Sequence, residues 1–471
     1  MKTYSEDRKK VSNLKIAYIG GGSCGWAYVL MNDLSKEPNL SGTVDLYDIN
    51  YEYALVNEKM GNGLSKRDDV VGKWTYKAVK TLKEALTGAD FVFCSILPGT
   101  FDEMESDVHH PEKYGIWQPV GDTTGPGGII RALRTIPMYK EFALAIKETC
   151  PNAWVVNFTN PMSICVRTLY KVFPEIKAFG CCHEVFGVQN TIAKIVEEVY
   201  GFKPPRKDII TNVVGVNHFT WLTEVKYKDM DLLKVYKDYV DSHPDGMGSH
   251  TEENWVQLPH ESKQKVKFDL FRRYGYIAAA GDRHLSEFCP GNWYLKDPET
   301  VKSYDFSLTN LEWRRSRYNK RMTNNKAVAS GEKPFKFGDS GEESVDQIKA
   351  LLGLGDFVTN VNIPNKGQVP NNPKDAVVET NAFFSADSVR PVFAGEVPEG
   401  INTLVMRIIE EQEMVVEAGL TGNYELAFTA FLNNPNVCLP VDTARKLFNE
   451  MLENTKKYLP YYDEYMKTQK A

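Results

Sequence analysis

Short apolar runs alternate with amphipathic segments through the first 200 residues of the chain. An apolar run at residues 14–19 is followed by a glycine-rich turn and by residues 26–34, whose spacing predicts a helix. Further apolar runs of strand length lie at residues 44–48, 74–76, 90–96, 154–158 and 176–179. Strands that alternate with helical segments predict βαβ units and a parallel sheet.

One long segment of the first half, residues 97–128, is polar and has no regular pattern. Loops of that length in compact domains usually carry function. An amphipathic helix is predicted after it, over residues 129–148, with Arg131 and Arg134 in its first turns. Arginines at a helix N-terminus oppose the helix dipole, which suggests that they face a ligand anion. A solvent-facing position for at least one of them is the alternative.

The second half mixes strand and helix patterns. Residues 311–317 have the pattern of a basic helix face, and we expect solvent or a second subunit against it. Gly419 and Gly422 are predicted to break a long helical stretch into two helices. The remaining predicted elements are strands in 206–228, 357–363 and 377–380 and helices in 266–279, 403–431 and 441–461.

Composition narrows the class of protein. The chain has 471 residues, too many for one compact core. Its net charge of −6 and lack of large charge blocks argue against nucleic acid as a partner. Its eight cysteines are scattered and form no CxxC, which favours reduced thiols. The polar N-terminus and the absence of a bilayer-length apolar run predict a soluble cytoplasmic protein without membrane contact.

The glycine-rich turn at Gly20-Gly21-Gly22-Ser23-Cys24-Gly25 follows the first strand directly. Gly20, Gly22 and Gly25 match G-x-G-x-x-G between a predicted strand and helix, the context in which that motif binds a dinucleotide pyrophosphate. Asp48 ends the next strand, 23 residues after Gly25, where a ribose-binding carboxylate is expected. An acid there favours NAD over NADP. A glycine-rich turn without a nucleotide is the alternative.

These patterns predict an α/β protein with two domains. Residues 1–205 form the N-terminal Rossmann dinucleotide-binding domain, and residues 206–471 form a C-terminal α+β domain for substrate binding and catalysis. The C-terminal half resembles the catalytic half of lactate and malate dehydrogenases.

Polar groups follow two strands of the predicted sheet. Asn160 comes just after one strand, and Cys181-Cys182-His183-Glu184 comes after the next. Ligands of open α/β sheets bind at this edge. Together with His218, the cysteine and histidine could hold a metal; a buried structural cysteine with a hydrogen-bonded histidine is the alternative.

Taken together, the motifs resemble glycoside hydrolase family 4, an NAD-dependent exception to the two-carboxylate scheme of glycoside hydrolysis. They occur in the family's order along almost the whole chain. The motifs are Ile19-Gly20-Gly21-Gly22-Ser23, Tyr114-Gly115, Gly125-Pro126-Gly127-Gly128, Asn157-Phe158-Thr159-Asn160-Pro161, Cys182-His183, Gly215-Val216-Asn217-His218 and Val361-Asn362-Ile363-Pro364-Asn365-Lys366-Gly367.

The resemblance implies tightly bound NAD and a divalent metal, usually manganese. It implies that Cys182 and His218 bind the metal and that Asn160 contacts the sugar. Gly20, Gly22 and Asp48, with Ser23 and Gly25 in the same loop, would contact NAD. The family's enzymes are usually dimers or tetramers, so a homo-oligomer is expected.

Three further roles follow from motif position. The residue after the metal cysteine is an acidic proton donor in some members, and His183 stands there in this chain. Gly281-Asp282-Arg283-His284 aligns with members whose base is an aspartate, so Asp282 is predicted to remove the sugar's C2 proton. Asp122 matches an acid that supports this base.

The form Cys182-His183-Glu184-Val185 resembles the family's α-galacturonidases, so a small uronate substrate is predicted. A uronate carboxylate needs a cation, and both Arg131 and Arg283 are candidates that sequence does not separate. An α-galactosidase or α-glucosidase is the alternative within the family. An NAD-dependent 2-hydroxy-acid dehydrogenase and a non-catalytic nucleotide sensor are the alternatives outside it.

Overall fold

A computed structural model describes residues 2–248, 262–463 and 465. Its strands are β1 (Thr3–Tyr4), β2 (Val11–Ile19), β3 (Leu40–Tyr47), β4 (Trp74–Val79), β5 (Phe91–Cys94), β6 (Trp154–Asn157), β7 (Lys177–Gly180), β8 (Ile210–Val216), β9 (Phe219–Tyr227), β10 (Met230–Asp231), β11 (Ile277–Ala278), β12 (Phe357–Pro364), β13 (Val377–Ser385) and β14 (Ser388–Pro391).

The helices account for the amphipathic segments between these strands. They are α1 (Trp26–Leu34), α2 (Tyr51–Ser65), α3 (Leu82–Leu86), α4 (Phe101–His109), α5 (Gly125–Thr149), α6 (Met162–Val172), α7 (Glu184–Tyr200), α8 (Leu232–Ser242), α9 (Lys265–Tyr274), α10 (Asp282–Phe288), α11 (Gly291–Tyr294), α12 (Pro298–Ser303), α13 (Leu311–Ala329), α14 (Ser344–Leu351), α15 (Glu399–Thr421), α16 (Tyr424–Asn433) and α17 (Val441–Thr455). The helix break is at Gly422, whereas Gly419 lies inside α15.

The large sheet has the strand order β14-β13-β12-β7-β6-β5-β2-β3-β4, with β1 beside β2. Strands β2 to β7 of this sheet pair in parallel, as the alternating pattern predicts. The carboxyl ends of parallel strands meet at one edge, so the turns after β2, β6 and β7 lie together. The fold class predicted from the sequence, an α/β protein with a Rossmann half, is confirmed.

Three strands of the second half extend this sheet. Strand β12 pairs antiparallel with β7 at Asn362 and Gly180, and β13 and β14 follow outward. The division at residues 205 and 206 therefore separates the chain in sequence but does not separate the sheet. It stays a prediction.

A second sheet, formed by β8, β9, β10 and β11, carries the other part of the site. Strands β8 and β9 form a hairpin whose tight turn is Asn217-His218, with Val216 paired to Phe219. His218 has a positive φ of 64°, the left-handed conformation of a tight turn, and its side chain is buried. Strand β11 pairs with β9 and leads into the turn that starts α10.

The segment 97–128 contains more regular structure than the sequence predicts. Helix α4 lies within it and begins with a capping box between Thr100 and Glu103. The buried face of α4 ends in Asp107, whose carboxylate takes two hydrogen bonds from the guanidinium of Arg134, at 2.9 and 2.5 Å. Arg134 therefore faces an anion of the protein, and neither a ligand nor solvent.

Replacing Arg134 with leucine should lower the free energy of unfolding by about 3–5 kcal/mol, because it leaves the Asp107 carboxylate buried without a counter-ion. Both side chains are almost fully buried, at 0% and 1% exposure. Denaturant unfolding would measure the change. The double variant with Asp107→Leu should recover most of the loss, and equal instability of both variants would contradict this explanation.

In the described part of the chain, no helix is both long and apolar enough to cross a bilayer.

Candidate active site

The glycine-rich turn after β2 is held against β3 by backbone hydrogen bonds. The Gly20 and Gly21 amides both donate to the carbonyl of Tyr47, at 2.9 and 2.8 Å. Gly20 has a φ of +90°, and a Cβ there would lie 2.0 Å from the Ser95 carbonyl oxygen, so only glycine fits. Ser23 Oγ accepts from the Trp26 amide at 3.2 Å, at the start of α1.

Asp48 connects the glycine turn to the end of β3. Its Oδ2 accepts from the Gly22 amide at 2.9 Å, and its Oδ1 accepts from the Asn50 amide at 2.8 Å. Each oxygen keeps a second lone pair for another donor. This is the arrangement that a ribose diol requires, and the residues present fit a dinucleotide.

Replacing Gly22 with alanine should weaken NAD⁺ binding by about 10-fold or more. The added Cβ would lie 2.8 Å from Asp48 Oδ2 and 2.7 Å from the Cβ of Tyr53, so the turn must move away from Asp48. Calorimetric titration with NAD⁺ would measure the change. Gly63→Ala is the matched control because a Cβ there meets nothing within 4 Å. Unchanged NAD⁺ affinity of the Gly22 variant would remove the turn from the nucleotide site.

A cavity of about 1280 Å³ runs from this turn toward the carboxyl end of β7. Gly25 and Trp26 line it at one end of the parallel sheet, and His183 also lines it. Helix α13 supplies much of the opposite wall through Trp313, Arg314, Arg317, Tyr318 and Arg321. The cavity therefore joins the nucleotide turn to the residues that follow β7.

Cys182, Glu184 and His218 form a cluster of possible metal ligands. One donor atom of each lies within 4.8 Å of the others. Cys182 follows β7, Glu184 begins α7, and His218 comes from the β8–β9 turn. Two of these residues were predicted from the sequence. Glu184 was missed as a donor, although it lies two positions after Cys182 in the same turn.

Burial favours the uncharged form of each residue of the cluster. Burial, with the charge of Glu379, raises the pKa of the Cys182 thiol well above its usual value. Burial also raises the pKa of Glu184 to about 8 and lowers that of His218 to about 4. A cation would stabilise the thiolate and the carboxylate, and a neutral imidazole is already a ligand. Sulfur, nitrogen and oxygen donors together suit a divalent transition metal.

A hydrogen-bond network among polar residues next to the cluster holds the backbone of Cys182. Asn360 Nδ2 donates to the carbonyl of Cys182 at 3.2 Å and to the carboxylate of Glu379 at 2.7 Å. Thr220 donates to the same carboxylate at 3.1 Å. Such outer contacts orient metal ligands.

His218 is oriented by a hydrogen-bond chain. The hydroxyl of Thr123 donates to Asp122 Oδ1 at 2.7 Å, so its oxygen accepts from His218 Nδ1 at 3.0 Å. This fixes the tautomer and leaves the lone pair on Nε2. Although burial raises it, the pKa of Asp122 is lowered, most of all by the charge of Arg131. Asp122 therefore stays ionised beside the cluster.

The side chains of Asp282, Arg283 and His284, in the turn that begins at Gly281, make three different contacts. Asp282 Oδ1 accepts from the Lys267 amide at 3.0 Å, at the start of α9. Arg283 lines the cavity. The ring of His284 lies 4.0 Å from the ring of His218. His284 was not predicted as a site residue.

Asp282 is fully buried, and burial raises its pKa although the hydrogen bond and charge of Lys267 lower it. Its Oδ2 meets no hydrogen-bond donor among the described residues. One oxygen is thus anchored and the other is available to accept a proton.

Arg131 and Asn160 contact each other at the end of β6. Arg131 Nε donates to the carbonyl of Asn160 at 3.1 Å. Burial lowers the pKa of Arg131 although the charge of Asp122 raises it. The side-chain Oδ1 of Asn160 is buried without a hydrogen-bond partner among the described residues, as expected of a group that awaits a ligand.

Two sequence models of family 4 glycosyl hydrolases match the chain. The first matches residues 15–198. The model of the family's C-terminal domain matches residues 213–437. An α-galacturonidase of Thermoanaerobacterium saccharolyticum is 58% identical over 96% of this chain and 97% of its own. The chain belongs to glycosyl hydrolase family 4.

Solved structures agree with this family 4 fold. A protein of Bacillus subtilis named as a glucosidase is 49% identical, with a TM-score of 0.89 over 94% of this chain and 100% of its own. A 6-phospho-β-glucosidase of Thermotoga maritima is 21% identical, with a TM-score of 0.75 over 94% of this chain and 99% of its own. The second similarity shows the fold alone.

Helix α13 of this family 4 chain differs from its prediction. Arg315 does lie outward, where it pairs with Asp102 and Glu105. Arg314, however, is partly buried and lines the cavity. The prediction of a solvent or subunit face was therefore wrong for Arg314, because the apolar pattern of α13 is too weak to show which side faces the protein.

Proposed function

We propose that the protein is an α-galacturonidase that depends on NAD and a divalent metal. The observation that carries the proposal is the Cys182, Glu184 and His218 cluster, which lies near the far end of a cavity that begins at a dinucleotide turn. A relative named α-galacturonidase, 58% identical over nearly the whole chain, supports the substrate. The Thermotoga maritima structure, which contains manganese and NAD⁺, supports the cofactors.

The residues that would hold the two groups belong to the glycine turn, whose Gly25 lines the cavity, and to the cluster beside His183, which lines it too. Gly20, Gly22, Ser23, Gly25 and Asp48 would hold NAD. Cys182 and His218, with Glu184, would hold the metal, for which Mn²⁺ is proposed. When bound, NAD would supply reversible hydride transfer with the sugar, and the metal would supply a Lewis acid for the sugar's oxygens.

The chain's own residues would move protons and orient the sugar. Asp282 is proposed to remove the proton from C2, and His183 to donate a proton to the departing glycosidic oxygen. His183 lines the cavity, and its Nδ1 lies 3.4 Å from Glu342 Oε1. Asn160 would contact a sugar hydroxyl, and Asp122 would hold His218 through Thr123.

The arrangement of the whole molecule is part of the proposal. Residues 1–205 would bind the cofactor, and residues 206–471 would complete the substrate site. The family resemblance supports a homodimer or homotetramer. The free thiols of all eight cysteines support a reducing, cytoplasmic location.

Hydrolysis of a small α-galacturonide should require both NAD⁺ and Mn²⁺ under reducing conditions. The uronide should be cleaved at least about 10-fold faster than the matching α-galactoside, since one charge-assisted contact has that magnitude. Product formation would be followed with each cofactor omitted in turn.

The other outcomes of the hydrolysis assay separate the alternatives. Preferential cleavage of the neutral sugar would agree with the NAD- and metal-dependent mechanism but contradict the proposal that the substrate is a uronate. Accumulation of NADH on a hydroxy acid, without hydrolysis, would indicate a dehydrogenase. Bound NAD with no turnover of any substrate would indicate a nucleotide sensor.

A further inference from the structure

Helix α13 places a row of cationic side chains along the cavity wall. Arg314, Arg317 and Arg321 line the cavity at helical spacing. Near the nucleotide turn, a Cβ added at Gly25 would lie 3.2 Å from Arg321 Nη1, so this arginine reaches the glycine loop. Arg314 lies two helical turns away and meets a different part of the cavity.

Arg314 and Arg283 converge on one hydroxyl group. The Nη2 atoms of Arg283 and Arg314 lie 2.7 and 3.5 Å from Thr309 Oγ1. Two guanidinium charges are thus held side by side in the wall of the cavity, where an anion would be attracted by both. Arg283, Arg314 and His183, the predicted proton donor, all line the same cavity.

Arg314 has no ion-pair partner among the described residues. Its other contact is the sulfur of Met104 at 4.0 Å, and no described carboxylate forms an ion pair with it. The nearby acids are engaged elsewhere. Glu287 accepts from the amides of Val120 and Gly121, and Asp122 accepts from Thr123.

The other arginines of the region differ in this respect. Arg134 is saturated by Asp107. Arg131 donates to the Asn160 carbonyl, and its charge lowers the pKa of Asp122. Neither lines the cavity. Of the two candidates from the sequence, Arg283 is the one that lines this cavity, and α13 adds Arg314 to it.

We propose that Arg314, together with Arg283, binds the carboxylate of the uronic acid substrate. The inference rests on the proposed function and names the residues that select the acidic sugar. A guanidinium pair binds a planar carboxylate through charge-assisted hydrogen bonds. A phosphate of the dinucleotide is the other anion in this cavity, but Arg321 lies closer to the glycine turn that would receive it.

The test measures binding of D-galacturonate, D-galactose and NAD⁺ by calorimetry, in the presence of Mn²⁺, to the wild type and to Arg314→Met. We expect the Kd for galacturonate to rise roughly 10- to 100-fold, the size of one lost charge-assisted contact. The affinities for galactose and NAD⁺ should change less than about 2-fold. Arg315→Met, one residue along on the outer face of α13, is the matched control and should bind all three as the wild type does.

Three results would overturn the inference. The first is unchanged galacturonate affinity in Arg314→Met. The second is a loss of NAD⁺ affinity in its place, which would assign Arg314 to a cofactor phosphate. The third is a wild type that binds no galacturonate, and only this third result would also reject the proposed function. If Arg314→Met does not fold, Arg314→Lys keeps the charge without the planar fork and should still weaken galacturonate binding selectively.

Discussion

Replacing Cys182 with serine should abolish metal binding and turnover together. The thiolate is one of three donors in the cluster, and the hydroxyl of serine stays protonated at neutral pH and binds a transition metal poorly. Loss of an outer-shell contact alone costs roughly 10- to 100-fold in metal affinity, so loss of a ligand should exceed about 100-fold. Mn²⁺ titration and hydrolysis of the uronide would be measured on the same preparation.

Cys181→Ser is the matched control for this prediction. The two cysteines are adjacent, but the Cys181 thiol points away from the cluster and donates to Gln347 Oε1 at 3.2 Å. The control variant should keep its metal and its activity. A Cys182→Ser enzyme with wild-type turnover would show that the cluster does not hold the catalytic metal.

Replacing Asp282 with asparagine should stop the entry of solvent deuterium at C2 of the product. The amide keeps an oxygen acceptor for the Lys267 amide, so α9 should stay in place. It cannot accept the C2 proton, and loss of a general base typically slows turnover by about 10²- to 10⁴-fold. Deuterium at C2 would be measured by NMR after turnover in D₂O. The thermal midpoint of unfolding would be measured on the same variant to detect any loss of stability.

Asp269→Asn offers a control of the same chemistry. Asp269 accepts from the Tyr294 hydroxyl at 2.6 Å and pairs with Arg273, away from the cavity lining. It should leave deuterium entry unchanged even if stability falls. Wild-type exchange in Asp282→Asn would mean that Asp282 only holds the start of α9, and another group would have to be the base.

The sequence predicted the strands of the parallel sheet, though not their order in it, because each buried strand has an apolar run and each turn has glycine or a polar group. It failed for residues 97–128. Helix α4 is short, and its buried side carries Glu103 and Asp107 beside the apolar Met104 and Val108, so the segment reads as polar. Arg134 was assigned to a ligand or to solvent for the same reason, since its partner lies 27 positions away in that helix.

The candidate site was predictable where a family motif supplies each residue. Cys182 and His218 lie together as the motifs predict, and Asp48 bonds to the glycine turn. Glu184 and His284 were missed as neighbours of the metal position, because their approach depends on how α7 and α10 are oriented in three dimensions. The direction of Arg314 depends in the same way on the packing of α13.

The antiparallel extension of the large sheet has a consequence for the evolution of this chain. Because β12 to β14 complete the sheet of the cofactor-binding half, that half would expose the edge of β7 if it were inherited alone. Recombination near residue 205 would therefore join a cofactor-binding half to strands from another relative at the edge of β7. New substrate specificities can arise instead by substitutions on α13, which lines the cavity and is not part of the sheet.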